Sequence, residues 1–322
     1  ILDLESDDGG LTTSGSTWEH GQPDSGPGLA HSGDSVWATN LNGNYSNSVD
    51  EVLELPQLLL GDAVSPTLSF RMWIETFLSD GVSLEYFDAV TAQWLALDAG
   101  EPSYQANNAL GISSWENFLY HSEYTLFTVP LDAFAGAALC VRARFVSSSI
   151  GADAGVYIDD IGLHDESDDP DGDGLVGVFD EYTVYGSDPF AADTDGDGFD
   201  DGAEVSAGDD PLNPAIYPGS PVLTPGTLLD FESDDGGLAT VRTLWEHGAP
   251  SSGPGAAFSG SQLWATNLDG NFFNTAEEFL YLPRLDLSSS SAPTLTFRMW
   301  LETFLSDGVS LESYDVSSAS WQ

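Results

Sequence analysis

The chain repeats itself. LDLESDDGGL at residues 2–11 returns as LDFESDDGGL at 229–238, WEHG at 18 returns at 245, WATNL at 37 at 264 and FRMW at 70 at 297, each at an offset of 227. The register holds without insertion from Ile1/Leu228 to Leu95/Gln322, with more than half of the positions identical. Any fold must therefore accommodate one whole period and the first 95 residues of the next. Three parts make up the period. Residues 2–163 alternate short apolar runs with turns rich in Gly, Pro, Asn, Asp and Ser, residues 164–214 are acidic, and residues 215–228, AIYPGSPVLTPGTL, read as a short stiffened linker. Residues 229–322 are the N-terminal part of a second copy.

The large part reads as all-β. In LSFRMWIETF, Leu68, Phe70, Met72 and Ile74 share one face and Ser69, Arg71, Trp73 and Glu75 the other, the period-two pattern of a half-buried strand. LCVRARF points Leu139, Val141, Ala143 and Phe145 inward, leaving Cys140, the single cysteine, as an inert thiol with no disulfide partner. Many short strands separated by turn signals predict a β-sandwich. If the first copy closes its core with strands between Ala96 and Leu163, the second copy lacks them. The sequence is then an excerpt of a longer tandem array, or another chain donates the missing strands; otherwise Phe297, Met299 and Leu301 face water.

An opening LES or FES, then WEHG.P, SG..VWATNL.GNY, PTLSFRMWIETF and a closing GVYIDDIGL resemble the MAM-like jelly-roll domains of bacterial secreted proteins, including those attached to immune inhibitor A-type peptidases. The resemblance covers residues 2–163 and the second copy in part. It implies a two-sheet jelly roll, placement outside the cell, and an adhesive or accessory role. It also implies a structural cation held by Glu5 with Asp160, or with Asp159 instead, and by Glu232 in the second copy.

Charge narrows the partners. There are 53 acidic residues against six arginines and no lysine, for a net charge of −47. Nucleic acid phosphates and anionic lipid are repelled, and no run is long enough to span a membrane. Seventeen of the acids lie between Asp165 and Pro214, leaving 36 elsewhere, so ions bound in one segment cannot cancel the excess. A halophilic or marine setting accounts for the surplus, and so does drift of composition in a secreted protein.

DTDGDGFDDGAE, residues 193–204, fits a calcium loop. Asp193, Asp195, Asp197, Asp201 and Glu204 occupy positions 1, 3, 5, 9 and 12, Gly198 the turn at 6, and Phe199 offers a backbone carbonyl at 7. Hard oxygen donors without His or Cys favour Ca2+ over zinc or copper. Upstream, DPDGDGLVGVFDE places Asp169, Asp171, Asp173, Leu175 and Asp180 at positions 1, 3, 5, 7 and 12. Gly177 replaces the side chain at 9 and position 12 is the shorter Asp, so this site is expected to be weaker. The pair resembles the thrombospondin type 3-like calcium repeats of bacterial surface proteins, which implies Asp188 and Asp210 of the neighbouring DP steps as further ligands. The competing reading is a solvated acidic linker.

No H-E-x-x-H, G-x-S-x-G or phosphate-binding loop is present, so no enzyme is read here. Glu19-His20 beside Trp18 reads as a turn that packs the indole. Trp73 between Arg71 and Glu75 is a candidate glycan-stacking site, against the plainer reading that a loop or neighbouring module covers it. The expectation is an extracellular or cell-surface protein of a bacterium or archaeon: jelly-roll modules joined by a calcium-binding loop segment with short helices, forming a rigidified fibre or stalk. Its partners would be neighbouring repeats or copies of the same chain. The alternative is a multivalent glycan-binding adhesin or an accessory module of a secreted enzyme.

Overall fold

The protein's computed structural model describes residues 2–116, 123–240, 245–272, 279–303, 307–315 and 320–321. It contains two compact units, Ile1–Asp168 with Val176–Phe179, and Asp169–Leu175 with Asp180–Gln322. In the first unit the strands are β1 (Thr12–Thr13), β2 (Glu19–Gly21), β3 (Val36–Ala38), β4 (Asp50–Glu54), β5 (Leu58–Leu59), β6 (Thr67–Glu75) and β7 (Gly81–Asp88). They continue with β8 (Gln93–Ala96), β9 (Ala106–Asn107), β10 (Ser113–Ser114), β11 (Thr125–Pro130), β12 (Ala138–Leu139), β13 (Val141–Val146) and β14 (Gly155–His164).

Two five-stranded antiparallel sheets result, ordered β1-β4-β13-β7-β8 and β11-β6-β14-β3-β2. Strands consecutive in the chain, β3 and β4, β6 and β7, β13 and β14, lie in opposite sheets, the crossing habit of jelly rolls. The fold is an all-β sandwich. Its inner faces are those the period-two pattern predicts: Leu68, Phe70, Met72 and Ile74 of β6 meet Val141, Ala143 and Phe145 of β13 in one apolar cluster. Phe70 stacks on Phe127 at 5.4 Å, and Trp115 meets both rings edge-on. Each such side chain taken fully from water stabilises by about 1.5–3 kcal/mol.

The outer face of β6 departs from the half-buried expectation. Arg71 is only 8% exposed, Ser69 is buried and Trp73 is half-buried. A second small apolar cluster covers that face, built from Val36, Ala38, Leu41, Ala154 and Tyr157, with Trp73 and Tyr124 packed against it. Trp73 meets Tyr157 edge-on at 5.4 Å, and the Tyr124 hydroxyl donates to the Leu29 carbonyl at 3.1 Å. Glu19 and His20 lie on β2 rather than in a turn, because the chain pairs with β3 there. Glu19 accepts from the Leu41 amide, and the His20 ring bonds the Leu4 carbonyl.

One buried polar link holds a corner of the sandwich. The Tyr45 hydroxyl donates to Asp80 Oδ2 at 2.7 Å and accepts from the Phe77 amide at 2.8 Å, with Asp80 fully buried. Tyr45→Phe leaves both groups short of a partner and is expected to cost about 1–3 kcal/mol of sandwich stability. Thermal melting measures it, and an unchanged midpoint would mean water replaces the hydroxyl.

The second unit contains the acidic segment and the second copy. In the copy, β16 (Glu246–Gly248) pairs with β17 (Leu263–Ala265), matching Glu246 to Ala265 as β2 and β3 match Glu19 to Ala38. The expected linker forms β15 (Val222–Leu223), which pairs in parallel with β18 (Arg284–Leu285). β19 (Tyr314–Asp315) pairs with β20 (Ser320–Trp321). The counterpart of β6 is not a strand: residues 293–303 are irregular, and Phe297 is 62% exposed, Met299 54% and Leu301 54%. In the first copy β11 and β14 flank β6, whereas residues 293–303 pair with no strand among the described residues. Without ladder partners an isolated strand does not hold. Among the described residues no helix is long and apolar enough to cross a membrane.

Candidate metal centre

Both acidic loops fold by the same local rule. The first Asp of each accepts backbone amides from the two glycines that follow it: Asp193 takes Gly196 at 2.8 Å and Gly198 at 2.9 Å, and Asp169 takes Gly172 at 2.8 Å and Gly174 at 3.2 Å. All four glycines have φ between 78° and 100°, the left-handed region closed to most side chains. The alternate Asp residues then converge. Asp193, Asp195 and Asp197 each bring an oxygen within 4.8 Å of the others, as do Asp169, Asp171 and Asp173.

Glu204 closes the second loop from the helix α2 (Asp201–Ala207), where the i, i+3 spacing puts it on one face with Asp201. It is fully buried, and neither carboxylate oxygen has a hydrogen-bond donor among the described residues. Asp195 Oδ2 and Asp197 Oδ2 are likewise enclosed and unpartnered. Burial, with the charges of Asp195, Asp197, Asp201 and Asp193, pushes Glu204 up to about 9. Asp195 rises to about 7 for the same reasons, burial first. Enclosed carboxylate oxygens without donors are strongly unfavourable unless a proton or a cation serves them. A hard divalent ion fits this donor set of oxygens alone. Phe199 is anchored beside the loop by stacking on Tyr217 at 5.0 Å.

The first loop differs from its sequence expectation. Asp180, at position 12, ends the short helical turn α1 (Val178–Asp180) and is exposed. Its neighbour Glu181, opening a π-helical turn (Glu181–Tyr185), is only 1% exposed and turns inward with Oε2 unpartnered. This loop is one residue longer than the second, with Gly177 at φ 83°, so its thirteenth residue is the enclosed carboxylate, as the twelfth is in the other. Glu181 gathers with Asp173 and Asp201, one oxygen of each within 4.8 Å of the others. Burial, with the charge of Asp171, raises Glu181 to about 8, and burial raises Asp171 to about 6.

Asp201, expected in the second loop's own site, therefore sits between the loops. Its oxygens also accept from the Thr194 amide at 2.9 Å and hydroxyl at 2.6 Å. Asp173 Oδ2 accepts from the Gly202 amide at 2.7 Å, tying the first loop to the start of α2. A Cβ on Gly202 would lie 2.4 Å from the Asp173 carbonyl oxygen, so the absence of a side chain permits this approach. Leu175 donates its amide to Asp173 as Phe199 does to Asp197. Asp210 is buried with Oδ2 unpartnered, and burial raises it; Asp188 accepts from the Phe190 amide in a local turn.

The other expected cation ligands are placed differently. Glu5 accepts from the Asp34 and Ser35 amides at 2.8 Å each, while Asp160 bonds the His31 ring and the Ser32 hydroxyl. Asp159 accepts from the His31 and Ser32 amides. Glu232 in the second copy accepts from the Ser261 and Gln262 amides, the equivalents of Asp34 and Ser35. In both copies this Glu caps a turn through protein donors. Arg71 and Trp73 are covered as described, with Glu75 half-buried at the end of β6.

No known family profile matches the chain. Bacillopeptidase F of Bacillus subtilis (strain 168) is 32% identical over 167 residues, which are 51% of this chain and 10% of that protein. The chain thus spans about a tenth of the curated relative it matches. Among solved structures, the K1 cleaved adhesin domain of Lys-gingipain from Porphyromonas gingivalis W83 aligns with a TM-score of 0.29 and 18% identity, over 48% of this chain and 90% of that domain. A family 35 carbohydrate binding module from Clostridium thermocellum aligns with a TM-score of 0.28 and 14% identity, over 50% of this chain and 95% of that module. Scores this low make neither structure a guide to what this chain binds.

Proposed function

We propose that the chain is a non-catalytic accessory part of a longer extracellular bacterial protein, a β-sandwich that presents an adhesive surface followed by a segment built around calcium. The observation that carries this reading is Glu204, a buried carboxylate under the charges of four aspartates, with no donor to either oxygen among the described residues. Asp193, Asp195, Asp197 and Glu204 would hold one ion, and Asp173, Glu181 and Asp201 another, with Asp169, Asp171 and Asp210 beside them. Bound calcium supplies the positive charge that lets these groups stay ionised together. It acts mechanically: it orders backbone with few apolar contacts of its own. Extracellular calcium modules have dissociation constants of about 10⁻⁴–10⁻³ M, suited to calcium outside cells.

The match to a small fraction of a peptidase supports a module that accompanies a catalytic body, and no catalytic motif in the sequence asks for more. The 227-residue period favours a second reading in the same terms, a calcium-stiffened array in which copies of the module are one another's neighbours. Calorimetric titration of the full chain with Ca2+ tests the shared premise. Two sites in the range above are expected, with weaker Mg2+ binding; no heat of binding up to about 10 mM Ca2+ sinks both readings.

A further inference from the structure

The outer face of the β4-β13-β7-β8 sheet carries a polar and aromatic cluster with no role in the core. Strand alternation that sends Val141, Ala143 and Phe145 inward sends Arg142 and Arg144 outward, two of the six arginines in a chain without lysine. Both converge on Glu85: Arg142 Nη2 lies 2.6 Å from Oε2, and Arg144 Nη1 lies 3.0 Å from Oε1. Arg144 also grips Asp50 with Nε at 2.7 Å and Nη2 at 2.8 Å, so the fork is fixed in place. Arg142 lies 4.0 Å over the Trp94 ring, and Trp94 meets Phe87, 37% exposed, at 5.5 Å.

The aromatic pair of this face recurs in the internal repeat. At the offset of 227, Glu85 returns as Glu312, Phe87 as Tyr314 and Trp94 as Trp321. The inward Tyr86, which packs on Phe134, returns as Ser313, and four of the five residues at 89–93 change. The strands also keep register, with Tyr314 opposite Trp321 as Phe87 is opposite Trp94. The outward aromatics recur although they fill no core space, while the acids beside them vary, Asp50 to Glu277 and Glu54 to Tyr281, which indicates a role at the surface.

We infer that this face is a platform for an uncharged sugar, with Trp94 and Phe87 taking the apolar side of a pyranose ring and Arg142 with its carboxylates taking the hydroxyls. The inference rests on the adhesive reading above. The charges choose the occupant. Anionic polymers are repelled by a chain of net charge −47, and a basic peptide would have to compete with two arginines already seated on Glu85. A hydroxyl both donates and accepts, and it suits the space between Arg142 Nη1 and Glu54 Oε1, which stand 4.0 Å apart, too far for a direct hydrogen bond.

Titrating the full chain with neutral gluco-, galacto- and manno-oligosaccharides, and with polygalacturonate as the charged comparison, tests it. At least one neutral oligosaccharide is expected to bind and to move the Trp94 indole N–H resonance, and Trp94→Ala is expected to weaken it about tenfold or more. The resonance is read in the unaltered protein, so a variant that misfolds does not spoil the test. Binding that leaves both the Trp94 signal and the variant's affinity unchanged overturns the platform and spares the adhesive reading. Binding of polygalacturonate alone overturns the neutral-sugar assignment, and no binding to any glycan overturns the platform and removes glycan adhesion with it.

Discussion

Chelation at about pH 8 is expected to unfold residues 169–214 while the sandwich of residues 2–164 stays protected. The sandwich has its own apolar core, whereas the acidic segment is organised around carboxylates. At about 10 mM Ca2+, two sites with the extracellular affinities above stabilise the segment by about 3–5 kcal/mol, and chelation removes all of it. The pH dependence has a definite sign. Burial raises Glu204 to about 9, Glu181 to about 8 and Asp195 to about 7, so without metal the folded segment binds more protons than the unfolded chain between about pH 4 and 9. Its stability is then whole below the ordinary carboxylate range and is lost as pH rises through the folded values. With calcium the trend reverses, because ion binding needs the ionised forms. Hydrogen exchange followed peptide by peptide reads both regions at once. Equal protection of residues 169–214 with and without chelator at pH 8 would sink the calcium reading.

The sandwich was legible because period-two alternation reports which residues face the core; Leu68, Val141 and their neighbours lie where the pattern puts them. Alternation does not report what covers the other face. Arg71 and Trp73 looked exposed, and the residues packed on that face come from β3, the loops on either side of it and Tyr157 on β14, distant in sequence. Trp94, half-buried like Trp73, stands on a short strand of mixed composition with a weak alternating signal. The turns of the acidic loops were legible in their Asp and Gly spacing because the hydrogen bonds that shape them are local. Glu5 and Asp160 carry no such local rule: both are satisfied by residues 31–35, and only tertiary contact shows it. In the second copy the strand pattern of 294–302 is intact, yet the segment pairs with no strand among the described residues.

Glu181→Gln is expected to weaken one of two calcium sites, and Asp180→Asn neither. Position counting against the second loop favours Asp180, but the first loop is one residue longer, and the structure exposes Asp180 while enclosing Glu181 with an unpartnered oxygen. Losing a charged, enclosed ligand lowers affinity at that site by about tenfold or more, since ligand charge sets affinity in such loops. Asp201→Asn weakens the same site although it belongs to the other loop, because its carboxylate gathers with Asp173 and Glu181. Gly202→Ala separates the opposing effects. Alanine in a helix gains about 0.5–1 kcal/mol over glycine, yet here the new methyl would meet the Asp173 carbonyl oxygen at 2.4 Å and force the loops apart. The clash outweighs the propensity, so this variant is expected to lose the inter-loop site and keep the one at Asp193, Asp195, Asp197 and Glu204. Terbium titration counts the ions; full loading in Glu181→Gln together with loss in Asp180→Asn would restore the simple twelve-residue register and discard the shared site.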